Sequence, residues 1–161
     1  MIDHVVIPEE RMRLLQKDKI WEKKLKGLLN IKVELNDEIV LEGDPFQVLR
    51  AKLLFKAFGR GFSFKDALNL LDEEYFLHII EVKEFAKSRN RQIELKGRVI
   101  GTKGKIKKMI EKYCDVKIAV YGKTISIIGK WENVQKAARA IEMLLSGAMH
   151  KTVYRFLEEQ K

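Results

Sequence analysis

The spacing of hydrophobic positions changes several times along this chain, and the changes recur in the same order. Residues 91–96 alternate apolar with charged side chains at Ile93 and Leu95, which predicts a half-buried strand. Residues 105–113 set Ile106, Met109, Ile110 and Tyr113 at the spacing of one helix face. Residues 116–120 and 124–127 alternate again, and Tyr121-Gly122-Lys123 between them supplies a turn, so the pair reads as a hairpin. Val134, Ala137, Ala138, Ile141 and Leu145 then trace one face of a helix ending near Gly147. An earlier stretch runs through the same periods. Val5-Val6-Ile7 reads as a strand, and Pro8 leads into a helix from about Glu9. Asp44-Pro45 is a helix start, with Asp as the cap and Pro at the first helical position.

The two stretches align as an internal repeat. Leu25 falls on Ile110 at an offset of 85, and Ile31-Lys32-Val33 falls on Val116-Lys117-Ile118. With one residue inserted in the later copy, Ile39, Leu41 and Gly43 fall on Ile125, Ile127 and Gly129. Each unit then reads strand, helix, helix, strand, strand, helix. Three strands with helices on one face make a small α+β domain. Phe62 to Leu71 adds a helix to the earlier unit, with Ser63 as its cap, and residues 77–86 read as a packed connector. The expected domains are 1–83 and 84–161.

Composition narrows the function classes. The chain is 46% hydrophobic, enough for packed cores. No apolar run approaches the roughly 18 residues of a membrane span, and the N-terminus lacks a signal-peptide pattern, so a soluble, cytoplasmic protein is expected. Cys114 is the single cysteine, which excludes an internal disulfide and a cysteine metal cluster. His4, His78 and His150 are scattered, with no nucleophile–base or metal-ligand spacing, so no catalytic residue, metal or cofactor is expected. The net charge of +9 divides into −2 over residues 1–85 and +11 over residues 86–161. A polyanion-binding domain beside a nearly neutral one fits that split.

The candidate chemistry lies in Ile100-Gly101-Thr102-Lys103-Gly104-Lys105. Two glycines three apart let the backbone turn tightly and approach a ligand, and the following helix start favours an anion. Lys103 and Lys105 add charge, continued by Lys107, Lys108 and Lys112, with Arg98 before the loop and Arg89 and Arg91 on its approach. Amides and lysines in this arrangement suit a sugar–phosphate backbone. Gly122-Lys123-Thr124 is no P-loop, because Lys117 stands where the first glycine is needed. Gly97, Gly101 and Gly104 have the wrong spacing for a dinucleotide fingerprint.

Two apolar residues, G-x-x-G, a helix and a hairpin resemble the KH domain family in its type I order. The resemblance implies that residues 101–104 clamp about four nucleotides of single-stranded RNA. It also implies apolar contact from Ile100 and Ile106, which could equally be core, and base edges facing the strand around Lys117. Met109, Ile110, Val134 and Ile141 read as core. Lys107 stands where most KH domains are apolar, which shifts the expectation from base reading toward backbone grip. The earlier unit reads Gln16-Lys17-Asp18-Lys19 at the loop position, so it is expected to be a KH domain without a working loop. Phe58-Gly59-Arg60-Gly61-Phe62 reads as a helix stop in preference to an aromatic–basic RNA motif.

Further matches at residues 57–63, Val120-Tyr121-Gly122, residues 140–145 and the tail 147–158 narrow the resemblance to the archaeal Dim-two (Partner of Nob) assembly factors. That resemblance implies a non-catalytic protein binding small-subunit ribosomal RNA near its 3′ end. The implied partners are a PIN-domain endonuclease and translation or assembly factors, met through the first domain. The alternatives are a protein-binding adaptor and a general RNA-processing or exosome-associated factor.

Overall fold

In the structure, a computed structural model that describes residues 1–159, the chain forms two units, Met1–Asp72 and Glu73–Lys161. The first holds β1 (Ile2–Val5), α1 (Glu9–Lys17), α2 (Ile20–Leu28), β2 (Ile31–Leu35), β3 (Ile39–Gly43), α3 (Pro45–Gly59) and α4 (Phe64–Ala67). Its antiparallel sheet has the order β1-β3-β2. Ile39 and Leu41 of the central strand are fully buried. Trp21 on α2 meets Phe55 on α3 edge to face, with ring centroids 5.7 Å apart. Its indole N–H donates to the Leu15 carbonyl at 2.9 Å, which satisfies the ring's one polar atom inside the core.

The second unit holds β4 (Tyr75–Glu81), α5 (Arg89–Ile100), α6 (Lys105–Cys114), β5 (Lys117–Tyr121), β6 (Thr124–Lys130), α7 (Trp131–Leu145) and α8 (His150–Glu159). Its sheet has the order β4-β6-β5, the same as the first with each strand in its equivalent place. The core joins Ile80, Leu95, Val99, Ile106, Ile110, Ile125, Ile127 and Ile141, and α8 closes it with Val153 and Leu157. Among the described residues no helix is long and apolar enough to cross a membrane.

The predicted hairpin, the helix at 105–113 and the helix ending near Gly147 are all present. Both expected caps form. The Asp44 carboxylate accepts from the amides of Phe46 and Gln47 at 3.1 and 3.2 Å, and the Ser63 hydroxyl accepts from the Asp66 amide at 3.1 Å. A cap of this kind contributes about 1 kcal/mol. Residues 58–62 do form a helix stop. Phe58 and Phe62 are buried, and Arg11 donates to both of their carbonyls, at 2.9 and 2.6 Å.

Three expectations are corrected. Residues 91–96 are helical, not a strand, because the Ser88 hydroxyl caps the Arg91 amide at 3.1 Å and Gln92, Leu95 and Val99 bury one helix face. Ile93, the other half of the apparent alternation, is 53% exposed. The first strand of this unit is β4, inside the stretch expected to be a connector, and β1 begins three residues earlier than expected. Pairing shows why. Val5 faces Ile39 and Ile80 faces Ile125, so the later copy has gained about ten residues between its first strand and its hairpin, spread over the connection before α5, α5 itself and the loop after it. The boundary therefore falls at Asp72/Glu73 instead of 83/84. With that division the units carry +1 and +8, so the contrast in charge narrows but keeps its sign.

Cys114 closes α6 at 2% exposure, and burial pushes its thiol up to about 11. The folded state thus holds the proton more tightly than the unfolded chain. This stabilisation is complete below the ordinary thiol value of about 8.5–9 and is lost as pH rises from there to about 11. Thiol reagents at pH 7.5 are expected to label native protein slowly and denatured protein at once. Denaturation midpoints should fall between pH 9 and 11, and a Cys114→Ala variant should lack that component.

Candidate nucleic-acid interface

The loop between α5 and α6 is shaped by one contact. Ile106, the first buried residue of α6, lies against Gly101, where an added Cβ would stand 2.3 Å from its Cγ1 and 2.9 Å from its backbone nitrogen. Gly101 has φ +75°, and its N–H closes α5 onto the Gly97 carbonyl at 2.8 Å. The chain then makes a tight turn, with the Gly104 N–H donating to the Gly101 carbonyl at 3.1 Å. Lys103 sits in the left-handed region at φ +57°, a conformation that costs a non-glycine residue about 1 kcal/mol. A Cβ at Gly104 would meet only the end of the Lys108 side chain, at 4.0 Å, so this face is open to a ligand's backbone.

The start of α6 has no side-chain cap and no acidic residue in its first turn. Its first amide, that of Lys105, donates back to the Thr102 carbonyl, and the positive end of the helix lies beside exposed Thr102, Lys103 and Lys105. Lys108 and Lys112 are also exposed and continue a stripe down the helix. At the corresponding place in the first unit, the Asp18 carboxylate accepts from the Ile20 amide at 3.1 Å. An anion of the protein's own already sits at the start of α2.

Four of the expected contact residues are placed differently. Arg98 donates from both terminal nitrogens to the carbonyls of Leu144 and Ala148, which ties α5 to the turn between α7 and α8. Its fork is used inside the fold. Arg91 lies in the first turn of α5, at the end away from the loop, and pairs with Glu94 at 2.9 Å. Ile106 is 6% exposed and belongs to the core, while Ile100 is half-buried. Lys107 leans on Glu111 at 4.0 Å. Glu111 itself accepts from the Ile118 amide at 3.0 Å, so it anchors β5 to α6. Nothing in the sequence marks that role, because its partner is a backbone amide. Lys117 is the exposed first residue of β5, and β5 is an edge strand of its sheet.

Two helices meeting at a G-x-x-G turn, packed on a sheet ordered β4-β6-β5, define a type I KH domain. The family model for the second KH domain of Partner-of-Nob proteins, described as eukaryotic type KH-domain (KH-domain type I), matches residues 76–161. The KH domain-containing protein MJ0443 of Methanocaldococcus jannaschii is 38% identical over 99% of this chain and 74% of its own length. Dim2p from Pyrococcus horikoshii matches with a TM-score of 0.89 and 33% identity, over 99% of each chain. A chain of the a/eIF2alpha–aDim2p–rRNA complex from the same organism matches with a TM-score of 0.90 and 32% identity, over 99% of this chain and 93% of that one. The chain belongs to the archaeal Dim2 (Partner of Nob) family of KH-domain assembly factors.

The two loop glycines should respond differently to alanine. At Gly101 backbone strain adds to a clash with Ile106, so Gly101→Ala is expected to cost about 3 kcal/mol or more, whereas Gly104→Ala meets strain alone, about 1 kcal/mol. Thermal denaturation of the two variants side by side checks the order.

Proposed function

We propose that this protein is a non-catalytic cytoplasmic factor that grips single-stranded RNA at residues 101–104 and meets small-subunit ribosomal RNA near its 3′ end during assembly. The observation that carries the proposal is the uncapped start of α6, open at Gly104 and flanked by Thr102, Lys103 and Lys105. KH loops of this kind hold about four nucleotides by their backbone. The relative from Pyrococcus horikoshii, in complex with a/eIF2alpha and rRNA, supports the choice of RNA. Lys108 and Lys112 extend the grip along α6, and Lys117 with the rest of β5 offers base edges a strand to read.

The first unit is, in this proposal, a KH copy that has lost its phosphate site. It shares the element order and strand order of the second. Asp18 fills the place of the ligand and would repel a phosphate. Its surface is then free for protein, such as a PIN-domain endonuclease or a translation factor.

Thr102→Asp with Lys103→Asp should lower affinity for a short single-stranded RNA by at least about 50-fold while leaving the melting temperature within a few degrees. Unchanged affinity in a titration by fluorescence anisotropy would sink the loop assignment. Wild-type binding should weaken with salt at a slope of about −0.7 for each phosphate held. Asp18→Ala, by contrast, should move RNA affinity less than two-fold. Crosslinking and sequencing of the bound RNA would test the 3′-end assignment.

A further inference from the structure

Two large aromatic side chains lie outside the core where β4 and α7 begin. Phe76 and Trp131 are 40% and 57% exposed, with ring centroids 5.3 Å apart and the rings at 68° to each other. The other tryptophan, Trp21, is buried in the first unit's core, so the residue type does not dictate this exposure. Nor does the fold require it. Matching Val5 to Ile80 puts Met1 at the place of Phe76, and α3 opens on Pro45 where α7 opens on Trp131.

The surroundings of the pair are acidic. Glu73 and Glu74 precede β4, Glu132 follows Trp131 on α7, and all three are exposed. Lys130, the cation next to Trp131, is turned to Glu74 at 3.8 Å. Lys117 stands on β5, across β6 from this edge of the sheet. In a unit of net charge +8 the patch is a local reversal of sign. It is also remote from the loop. Gly129, opposite Phe76 in the sheet, packs on Val116 just past the end of α6, and the ten residues of that helix span about 15 Å.

We propose that this patch docks a lysine- and arginine-rich segment of a partner protein, with one cation over Trp131 and its neighbours paired to Glu73, Glu74 and Glu132. Ring faces attract a cation, and carboxylates bind it by charge-assisted hydrogen bonds. The apolar stems of the same side chains cover Phe76. A nucleic-acid strand would stack on the rings but bring its phosphates against the carboxylates. The surface belongs to the second unit and does not depend on the RNA-binding role of the loop.

The probe is a fluorescent peptide of about ten residues alternating Gly with Arg or Lys, titrated by anisotropy against the full chain at low salt, where screening is weak. A second peptide with Glu for each cation is the control. The chain's net charge of +9 repels a cationic probe elsewhere, so saturable binding reports a local acidic site. Wild type should bind the basic peptide at least about ten-fold more tightly than the acidic one. Phe76→Ala with Trp131→Ala should weaken it about five-fold, and Trp131→Phe, which keeps a ring, about two-fold. Glu73→Gln with Glu132→Gln leaves the rings and the packing in place and should also cost about five-fold. Both double variants should hold single-stranded RNA within about two-fold of wild type. No saturable binding, equal binding of the two peptides, or a basic-peptide affinity unmoved by the Glu73/Glu132 variant overturns the proposal. RNA affinity that falls in the Phe76/Trp131 variant while peptide binding is unchanged overturns it too, and makes the patch a base-stacking surface.

Discussion

The contact between Gly101 and Ile106 organises the second unit around its loop. Ile106 must be buried because it is the first core residue of α6, and it reaches the core only across the backbone of Gly101. That approach brings the end of α5 and the start of α6 together with no side chain between them. The residues that follow have no apolar work to do, so Thr102, Lys103 and Lys105 point to solvent. The uncapped start of α6 among exposed cations is thus a consequence of where its first hydrophobic residue is buried. The shape of the loop comes from packing, with charge added afterwards.

The two units show what that constraint permits. Both set two helices between the first and second strands of a three-stranded sheet with the same strand order. In the first unit the turn between the helices carries Asp18, which meets the leading amide of α2 from within the chain. In the second the turn carries glycine at both ends, and no side chain caps the start of α6. An amide satisfied by a fixed carboxylate has little to gain from a phosphate, and two anions at one helix end repel. One residue type at one turn therefore decides whether a helix start already holds an anion of the chain.

Much of this was legible in the sequence, and the failures have a common cause. α6 and α7 have buried faces that match their period, so pattern and burial agree, and the hairpin was legible from its turn although central β6 is buried on both faces. The loop was legible because glycine spacing reports backbone geometry directly. The first strand was not, since a repeat aligned at constant offset cannot register about ten residues gained between β4 and the hairpin. At Ile93 and Leu95 an exposed and a buried side chain imitated a strand's alternation inside a helix. Arg98 and Lys107 failed differently. Their types suit phosphate, yet one donates to carbonyls at the turn before α8 and the other leans on Glu111. Sequence records that a cation exists, and only the fold records whether its donors are already engaged.

That distinction bears on specificity. Once Arg98 and Arg91 are assigned to their partners, the cations nearest the loop that keep open donors are lysines, not arginines. Lysine offers a point charge with rotatable donors, whereas arginine offers a fixed fork that can match a base edge with two parallel bonds. Backbone amides at a helix start likewise recognise the charge and path of a phosphate chain and carry no information about the base. Discrimination between bases must then come from elsewhere, and the proposed function gives it to the edge strand β5, held in position by the bond from Ile118 to Glu111. On the proposed function grip and reading are physically separate in this domain: the loop would set how tightly a strand is held, and the strand register set by Glu111 which sequence is preferred.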